Sequence, residues 1–519
     1  MIEGTRRPSR VRAFFVNGAL ITVCSIVLRS IAVGFNVYVA NTAGAEAVGL
    51  YTLLSGVYGF ALTLALSGIN LALVRLVSEA LALGDGARAR SVVKRSALLA
   101  LLFGALASAL LFSLARPISE LWLSEPRAER PLRLLALCLP AVALSSVFNG
   151  YFTAVRRAYK SAAANLIEMA AKIGFTVFLF ATAASREPEI ACTILVFGSV
   201  FAEFCSFLVN SVFYLFDRLL HRELSGGKEA SVGVLGSILS ISTPVALTSY
   251  VRSALLSIEH SLIPKGLGKF GGDRASALSS YGTLTGMALP VINFPYAIIG
   301  SFTSLLVPEV SESRARGEKR HVQYIAYRTY QSCLAFAFCI SGIFFAFADR
   351  LGMLLYSSAE AAKYIRLLSL LVPVMYADTS TDAILKGLGE QIHCMKVNIA
   401  DSLLSVALVC LLVPRLGIVG YVATIYVAEI FNAALSIGHL IKITGFRFPI
   451  RKTVAAPLFC AVGAGSVCNL ILYLLRLPSG ILPVILAIIT FVLLYFIFIS
   501  LIGALSDEDV KWIASIFKK

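Results

Sequence analysis

The chain has 519 residues, 58% of them hydrophobic and only 14% charged, with a mean hydropathy of +0.84. Soluble domains carry about 25% charged residues, so the chain reads as an integral membrane protein, and the lack of any long polar stretch argues against an appended catalytic domain. The net charge of +16 reads as membrane orientation rather than nucleic-acid binding, because its basic residues cluster between apolar runs.

Fourteen runs are near the ~20 residues needed to cross the hydrocarbon core: 13–40, 47–78, 91–114, 132–154, 161–184, 190–216, 232–262, 277–307, 323–348, 364–388, 393–413, 418–442, 452–475 and 480–504. The first is longer than a signal-peptide core, carries Arg29 and lacks a clear small-residue cleavage site, so it reads as a membrane helix. With Arg6, Arg7, Arg10 and Arg12 in the cytoplasm, the excess of Lys and Arg falls on the inner side and both termini are expected inside. The ten cysteines show no CxxC or metal-ligand spacing; they read as small hydrophobes in a bundle, and neither a metal nor another cofactor is expected.

The chain repeats itself. Adding 233 carries Arg133-Leu134-Leu135-Ala136-Leu137-Cys138-Leu139-Pro140 onto Arg366-Leu367-Leu368-Ser369-Leu370-Leu371-Val372-Pro373, Val77-Ser78-Glu79 onto Val310-Ser311-Glu312, and Glu168 onto Asp401. The offset is 230 near the start (Tyr51 to Tyr281, Gly56 to Gly286) and 226 near the end (Ala202-Glu203 to Ala428-Glu429). The expected architecture is all-α: an N-lobe (1–216, spans 1–6), a cytoplasmic linker (217–231), a C-lobe (232–443, spans 7–12), spans 13 and 14 (444–505), and an interfacial amphipathic tail (506–519). An even number of spans per copy relates the lobes by a pseudo-twofold along the membrane normal. A duplicated apolar unit that keeps charge in its spans reads as a transporter with a central path. Prolines recur within spans (Pro140, Pro244, Pro290, Pro295, Pro373, Pro457, Pro483) as expected kinks, Pro140 and Pro373 being repeat-equivalent.

Charges in the spans carry the candidate site. On span 1, Gly18, Thr22, Ser25, Arg29 and Asn36 share one helical face. On span 7, the repeat-equivalent helix, Arg252 and Glu259 lie two turns apart. A charge at mid-bilayer costs about 2.5–3.5 kcal/mol on insertion scales, so these stripes are expected to face a polar cavity; snorkelling to the interface is the competing reading. Arg75 and Glu79 end span 2. Asp378, Asp382 and Lys386 form a stripe on span 10 where span 4 has Ser145, Asn149 and Thr153, so a cation or proton site is expected in the second lobe; mutual neutralisation of Asp382 and Lys386 is the alternative. Glu203 and Glu429 lie mid-span at equivalent positions. Lys172 follows Glu168 by four residues, the spacing of an intrahelical pair. No nucleotide-binding P-loop, HExxH motif or nucleophile elbow occurs, and no enzymatic activity is expected.

Several segments resemble the stage V sporulation protein B family: Asn17-Gly18-Ala19-Leu20, Gly44-Ala45-Glu46-Ala47-Val48-Gly49-Leu50-Tyr51, Val57-Tyr58-Gly59, Ser67-Gly68-Ile69-Asn70-Leu71-Ala72, Tyr281-Gly282, Leu284-Thr285-Gly286-Met287-Ala288 and Leu306-Val307-Pro308-Glu309-Val310-Ser311-Glu312. That group is similar to the lipid II flippases and polysaccharide exporters of the multidrug/oligosaccharidyl-lipid/polysaccharide superfamily. The resemblance implies a fourteen-helix carrier in a bacterial cytoplasmic membrane. It would move an undecaprenyl-diphosphate-linked saccharide outward by alternating access, for spore-cortex or cell-wall synthesis. The implied partners are the lipid-linked oligosaccharide, membrane lipid and cell-wall synthesis proteins, with no nucleic acid. Lipid II flippases use arginines of spans 1, 2 and 8; here Arg29 and Arg75 match the first two, span 8 has none, and Arg252 of span 7 is the candidate replacement. The alternative is a cation-coupled multidrug exporter of the same superfamily.

Overall fold

A computed structural model describes residues 7–66, 68–183, 187–220, 233–271, 273–445, 450–474 and 480–503, with most side chains from Val27 onward. The regular elements among them are helices: α1 (Arg7–Leu66), α2 (Ile69–Ala82), α3 (Gly86–Pro117), α4 (Glu129–Ala154), α5 (Ala158–Thr182), α6 (Pro188–Leu220), α7 (Val234–Phe270), α8 (Arg274–Gly282), α9 (Leu289–Asn293), α10 (Tyr296–Ala315), α11 (Lys319–Tyr356), α12 (Ala359–Ser369), α13 (Val372–Gly387), α14 (Gln391–Leu416), α15 (Ile418–Thr444), α16 (Ala456–Leu474) and α17 (Ile481–Leu501). In a lipid solvent each backbone N–H and C=O must be satisfied within its own segment, which apolar helices achieve.

Eleven uninterrupted stretches among the described residues are long and apolar enough to cross a membrane, fewer than the fourteen expected, for physical reasons. α1 has 60 residues, about 90 Å at 1.5 Å per residue, and joins two helices across Gly44, whose φ of 81° and ψ of 164° are not helical. Spans 1 and 2 therefore appear as one stretch. Span 8 is broken into α8, a π turn (Thr283–Ala288), α9 and α10, with Pro290 and Pro295 at its interruptions. Span 10 is broken between α12 and α13, just before Pro373. The repeat-equivalent Pro140 instead sits inside unbroken α4, where Gly104 makes room for it: a Cβ at position 104 would lie 2.9 Å from Pro140 Cα. The amphipathic tail (506–519) and most of the linker lie outside the described residues.

By contact the chain forms two compact units, residues 1–35 with 42–282, and residues 36–41 with 283–519. In the first, α7 and α8 meet α1 at near-contact of backbones. A Cβ on Gly49 would lie 2.0 Å from Leu278 O, and one on Gly282 would lie 2.1 Å from Ala45 O. Gly56 sits against His260, whose Nδ1 is 2.5 Å from Tyr281 Oη. Several family-like residues (Gly49, Tyr281, Gly282) therefore shape one helix crossing. At the α4–α6 end, buried Asp217 accepts from Tyr151 Oη (2.8 Å), from Lys160 Nζ (2.6 Å) and from Arg157.

In the second unit one cluster joins α10, α11, α13, α14 and α15 through Leu306, Tyr330, Ile384 and Leu440. Another packs α16 and α17 on α11 through Cys460, Phe491 and Tyr495, whose hydroxyl donates to Ala335 O at 2.7 Å. Spans 13 and 14 thus have a fixed seat, although they have no counterpart in the repeat.

The duplication is visible in the backbone. Left-handed residues recur at the 233-residue offset: Gly84 and Gly317 (φ 73° each), Ser124 and Ser357 (53° and 49°), Arg156 and Gly389 (59° and 74°). Two of these pairs place side chains in a conformation that costs about 1 kcal/mol or more, so the turn geometry has persisted where glycine has not.

Gly282→Val forces α8 off α1, and overpacking of this kind costs about 1–3 kcal/mol. We expect a thermal midpoint lowered by several degrees in detergent, while Gly174→Ala, where an added Cβ meets nothing within 4 Å, leaves the midpoint unchanged.

Candidate functional site

The structure places the sequence-derived candidates in three environments. Arg29 on α1 and Arg252 on α7 are exposed, with Asn36 and Glu259 half-buried; the side chain of Ser25 lies outside the described residues. The neighbour of Arg252, Ser253, is turned to α1, accepting from Thr63 Oγ1 (3.0 Å) and donating to Gly59 O (3.3 Å). Arg252 is therefore carried on a face of α7 that does not pack into this contact. Arg75, midway along α2, pairs with Glu79 one turn on (2.9 Å), both exposed. Pairs of this i,i+4 kind contribute only about 0.3–0.5 kcal/mol, so Arg75 is readily released.

A second environment is a polar core in the first unit, on α1, α5 and α6. Lys172 Nζ lies 3.4 Å from Tyr51 Oη, which also meets Ser199 Oγ at 2.9 Å. The ammonium group sits 5.8 Å from the centroid of the Tyr51 ring. Lys172 thus turns to Tyr51 rather than closing the i,i+4 pair with Glu168, while remaining the nearby cation for both Glu168 and Glu203. Glu168 is also hydrogen-bonded to Ser206. Spacing alone showed the acids and the lysine; Tyr51 was marked by the repeat and the family-like segment, but nothing in the sequence joined it or Ser199 to Lys172.

The third environment is acidic and belongs to the second unit. Asp378 on α13 has Glu429 on α15, Asp401 on α14 and Asp382 one turn away as electrostatic neighbours. Its Oδ1 is buried and makes no hydrogen bond. Asp382 pairs with Lys386 at 3.1 Å. Repeat arithmetic explains the contrast with the first unit: Lys172 corresponds to Ser405 and Ser145 to Asp378. In the first unit Ser145 Oγ accepts from Asn210 Nδ2 at 2.9 Å, a neutral pair. The second unit has lost a cation and gained an acid at matched places. Among the described residues no three His, Cys, Asp or Glu side chains are grouped to hold a metal ion.

Arg328, also charged within a span, is 7% exposed; its Nε donates to Tyr324 Oη at 3.1 Å and its guanidinium lies over the Tyr324 ring.

Lys172→Met removes the cation beside two partly buried carboxyl groups. Breaking a buried pair costs about 3–5 kcal/mol; because either acid can take up a proton, we expect a loss at or below about 3 kcal/mol. Adding Glu203→Gln to Lys172→Met should recover much of it in a double-mutant thermal-unfolding cycle, and strictly additive losses would show that the two groups do not interact.

Comparison with known proteins follows the same lines. Residues 15–264 match the family described as polysaccharide biosynthesis protein. Stage V sporulation protein B of Bacillus subtilis (strain 168) is 25% identical over 450 residues, 84% of this chain and 86% of that protein. Sporulation protein YkvU of the same organism is 27% identical over 235 residues, 44% of this chain and 52% of that one. Among solved structures, the lipid II flippase MurJ in an inward closed conformation superposes with a TM-score of 0.70 at 13% identity, covering 93% of this chain and 98% of that one. An inward-facing multidrug resistance MATE family transporter of the MOP superfamily gives 0.62 at 14% identity, covering 83% and 99%. The chain is a multi-pass membrane protein with the fold of these transporters, a homologue of stage V sporulation protein B whose first half carries the polysaccharide biosynthesis protein match.

Proposed function

We propose that this protein is a flippase that moves a lipid-linked saccharide, of the undecaprenyl-diphosphate type used for peptidoglycan or a related polysaccharide, from the inner to the outer leaflet of the cell membrane. The observation that carries the reading is the similarity to stage V sporulation protein B along 84% of the chain, together with the fold likeness to the lipid II flippase. The chemistry is transport, not covalent catalysis. A diphosphate needs a cationic partner in a poorly solvated place, and a guanidinium grips it bidentately. Arg29 and Arg252, both exposed on membrane helices, are assigned that role, with Arg75, Ser25, Asn36 and Glu259 as supporting polar groups. The two repeats, 1–216 and 232–443, are the moving parts, with both termini in the cytoplasm.

Energy coupling is assigned to the acids of the second unit, Asp378, Asp382 and Glu429, with Lys386 as the internal counter-charge and Glu203 as the first-unit equivalent of Glu429. The unsatisfied buried Oδ1 of Asp378 supports exchange of a proton there, since protonation supplies the hydrogen-bond donor that the carboxylate lacks. The likeness to MATE transporters fits the second reading, a cation-coupled multidrug exporter, and the two differ in what is carried.

In a bacterial strain depleted of its own lipid II flippases, the wild-type chain should restore wall growth and the Arg29→Ala, Arg252→Ala double variant should not. Normal rescue by the double variant removes the guanidinium argument. Drug resistance without any rescue of wall growth favours the exporter.

In vesicles carrying labelled lipid-linked precursor, Asp378→Asn should lose the stimulation given by a proton gradient, by tenfold or more, while retaining the wild-type thermal midpoint. Stimulation equal to that of the wild type dismisses Asp378 as the coupling group.

A further inference from the structure

The first unit holds a second cationic place, at the end opposite Arg75 and Asp217. The segment between α3 and α4 is pinned there in an unusual path: a π turn (Ile118–Trp122), Ser124 in the left-handed region (φ 53°), then a 3-10 turn (Pro126–Ala128). Its anchors are specific. Trp122 Nε1 donates to Ser261 Oγ at 2.7 Å, and Lys265 Nζ donates to Leu121 O at 3.2 Å. Glu125, 3% exposed, accepts from Arg127 Nε at 2.6 Å and lies 3.6 Å from Arg274 Nε, while Arg127 Nη1 reaches Glu46 at 2.9 Å.

Between this segment and the end of α7 lies a cavity of about 400 Å3, open to solvent, whose polar wall is Ser124, Glu125, Lys265, Lys269 and Arg274. That volume falls within the range of about 300–1,000 Å3 usual for small-ligand sites. The charges do not balance. Glu125 is shared by Arg127 and Arg274, and Arg127 also serves Glu46. Asp273, the next carboxylate along the chain, caps α8 by accepting from Ser276 N at 2.8 Å. Among the described residues neither Lys265 nor Lys269 has a carboxylate within ion-pair distance, and Lys265 has Lys269 and Arg274 as its charged neighbours. The dipole of α7 accounts for a lysine in its last turn. It does not account for a second lysine one turn earlier and an arginine of the next helix converging on the same space. Like charges held together raise the energy of the empty site, and a polyvalent anion relieves it. Under the proposed orientation this end faces outward, where the positive-inside rule disfavours Lys and Arg, so orientation supplies no reason for three of them. The repeat supplies none either: Lys265 and Lys269 correspond to Phe35 and Val39.

We propose that this cavity binds a phosphate-type anion, and that its occupant is the diphosphate of the lipid-linked headgroup on the side of delivery. Lys265, Lys269 and Arg274 hold the anion, and Gly268 leaves the room: an added Cβ there meets nothing within 4 Å, because it would project into open space. The class of ligand stands on the charges alone; its identity as a headgroup rests on the proposed flippase reading.

The test uses full-length protein in nanodiscs of zwitterionic lipid, titrated with inorganic pyrophosphate. Binding should be salt-sensitive and at least tenfold weaker in Lys269→Glu and in Gly268→Leu. Lys269 is exposed, so its variant should keep the wild-type thermal midpoint. No binding by the wild type, or equal binding by both variants, overturns the site. Discs doped with undecaprenyl diphosphate should weaken the apparent pyrophosphate affinity at least tenfold if the headgroup is the occupant; unchanged affinity overturns that assignment. Wall-growth rescue is scored separately on the same variants. Lost pyrophosphate binding with rescue intact refutes a part in delivery and leaves the transport reading standing. A wild type that binds pyrophosphate but never rescues leaves the anion site standing and removes the transport reading.

Discussion

A charge inside a membrane helix must find a partner or water, and that requirement organises both units. Burying a carboxylate or ammonium without compensation costs several kcal/mol even after relaxation, and several charges among the described residues show how that cost is met. Lys172 is held by Tyr51 and balances Glu168 and Glu203. Arg328 lies on Tyr324. Asp217 gathers Arg157, Lys160 and Tyr151 at a helix end. The places where the solution is incomplete stand out for that reason: the acids around Asp378, and the cations beside Glu125.

The two repeats keep several turns in common and differ in where their charges lie. The left-handed turns still coincide at the 233-residue offset. At the end of the first repeat, Arg157 and Lys160 meet Asp217; the same positions in the second repeat are Glu390 and His393, and there His439 lies 3.3 Å from Glu390 while its ring stacks on His393 with centroids 3.6 Å apart. Carboxylate and base have changed sides between loop and helix, and the link between the elements is kept. The exchange of Ser145 for Asp378 and of Lys172 for Ser405 is the same process without the compensation.

The spans and the repeat were legible because both are periodic or local properties. A run of apolar residues reports its own solvent, and two copies of Arg-Leu-Leu need no structure to be noticed. The internal breaks were legible only in part. Proline marked the interruption before Pro373, whereas α4 runs on through Pro140, against which Gly104 of a neighbouring helix packs closely; that close approach lies 36 positions away and has no pattern in sequence. Gly44, which turns α1, falls in the 41–46 connection that the apolar runs leave between spans 1 and 2. The contacts that set the polar core, Tyr51 to Ser199 and Lys172 to Tyr51, join residues 148 and 121 apart, beyond the reach of helical spacing.

The same limit explains why the cationic cavity near Glu125 was invisible. In sequence, Glu125-Pro126-Arg127 is a short charged loop, and Lys265 and Lys269 close a helix as the dipole prefers. Each is unremarkable alone. Their meaning comes from the accounting of pairs once the fold is known: Arg127 satisfies Glu46 and Glu125, Asp273 is occupied as a cap, and the lysines are left over. Since like charges on a rigid frame cannot relax away from one another as they would on a mobile loop, the anchoring of the segment by Trp122 and Lys265 turns a surplus of charge into a standing attraction for an anion. Rigidity and imbalance together, rather than either alone, distinguish that place from the many exposed lysines elsewhere on the chain.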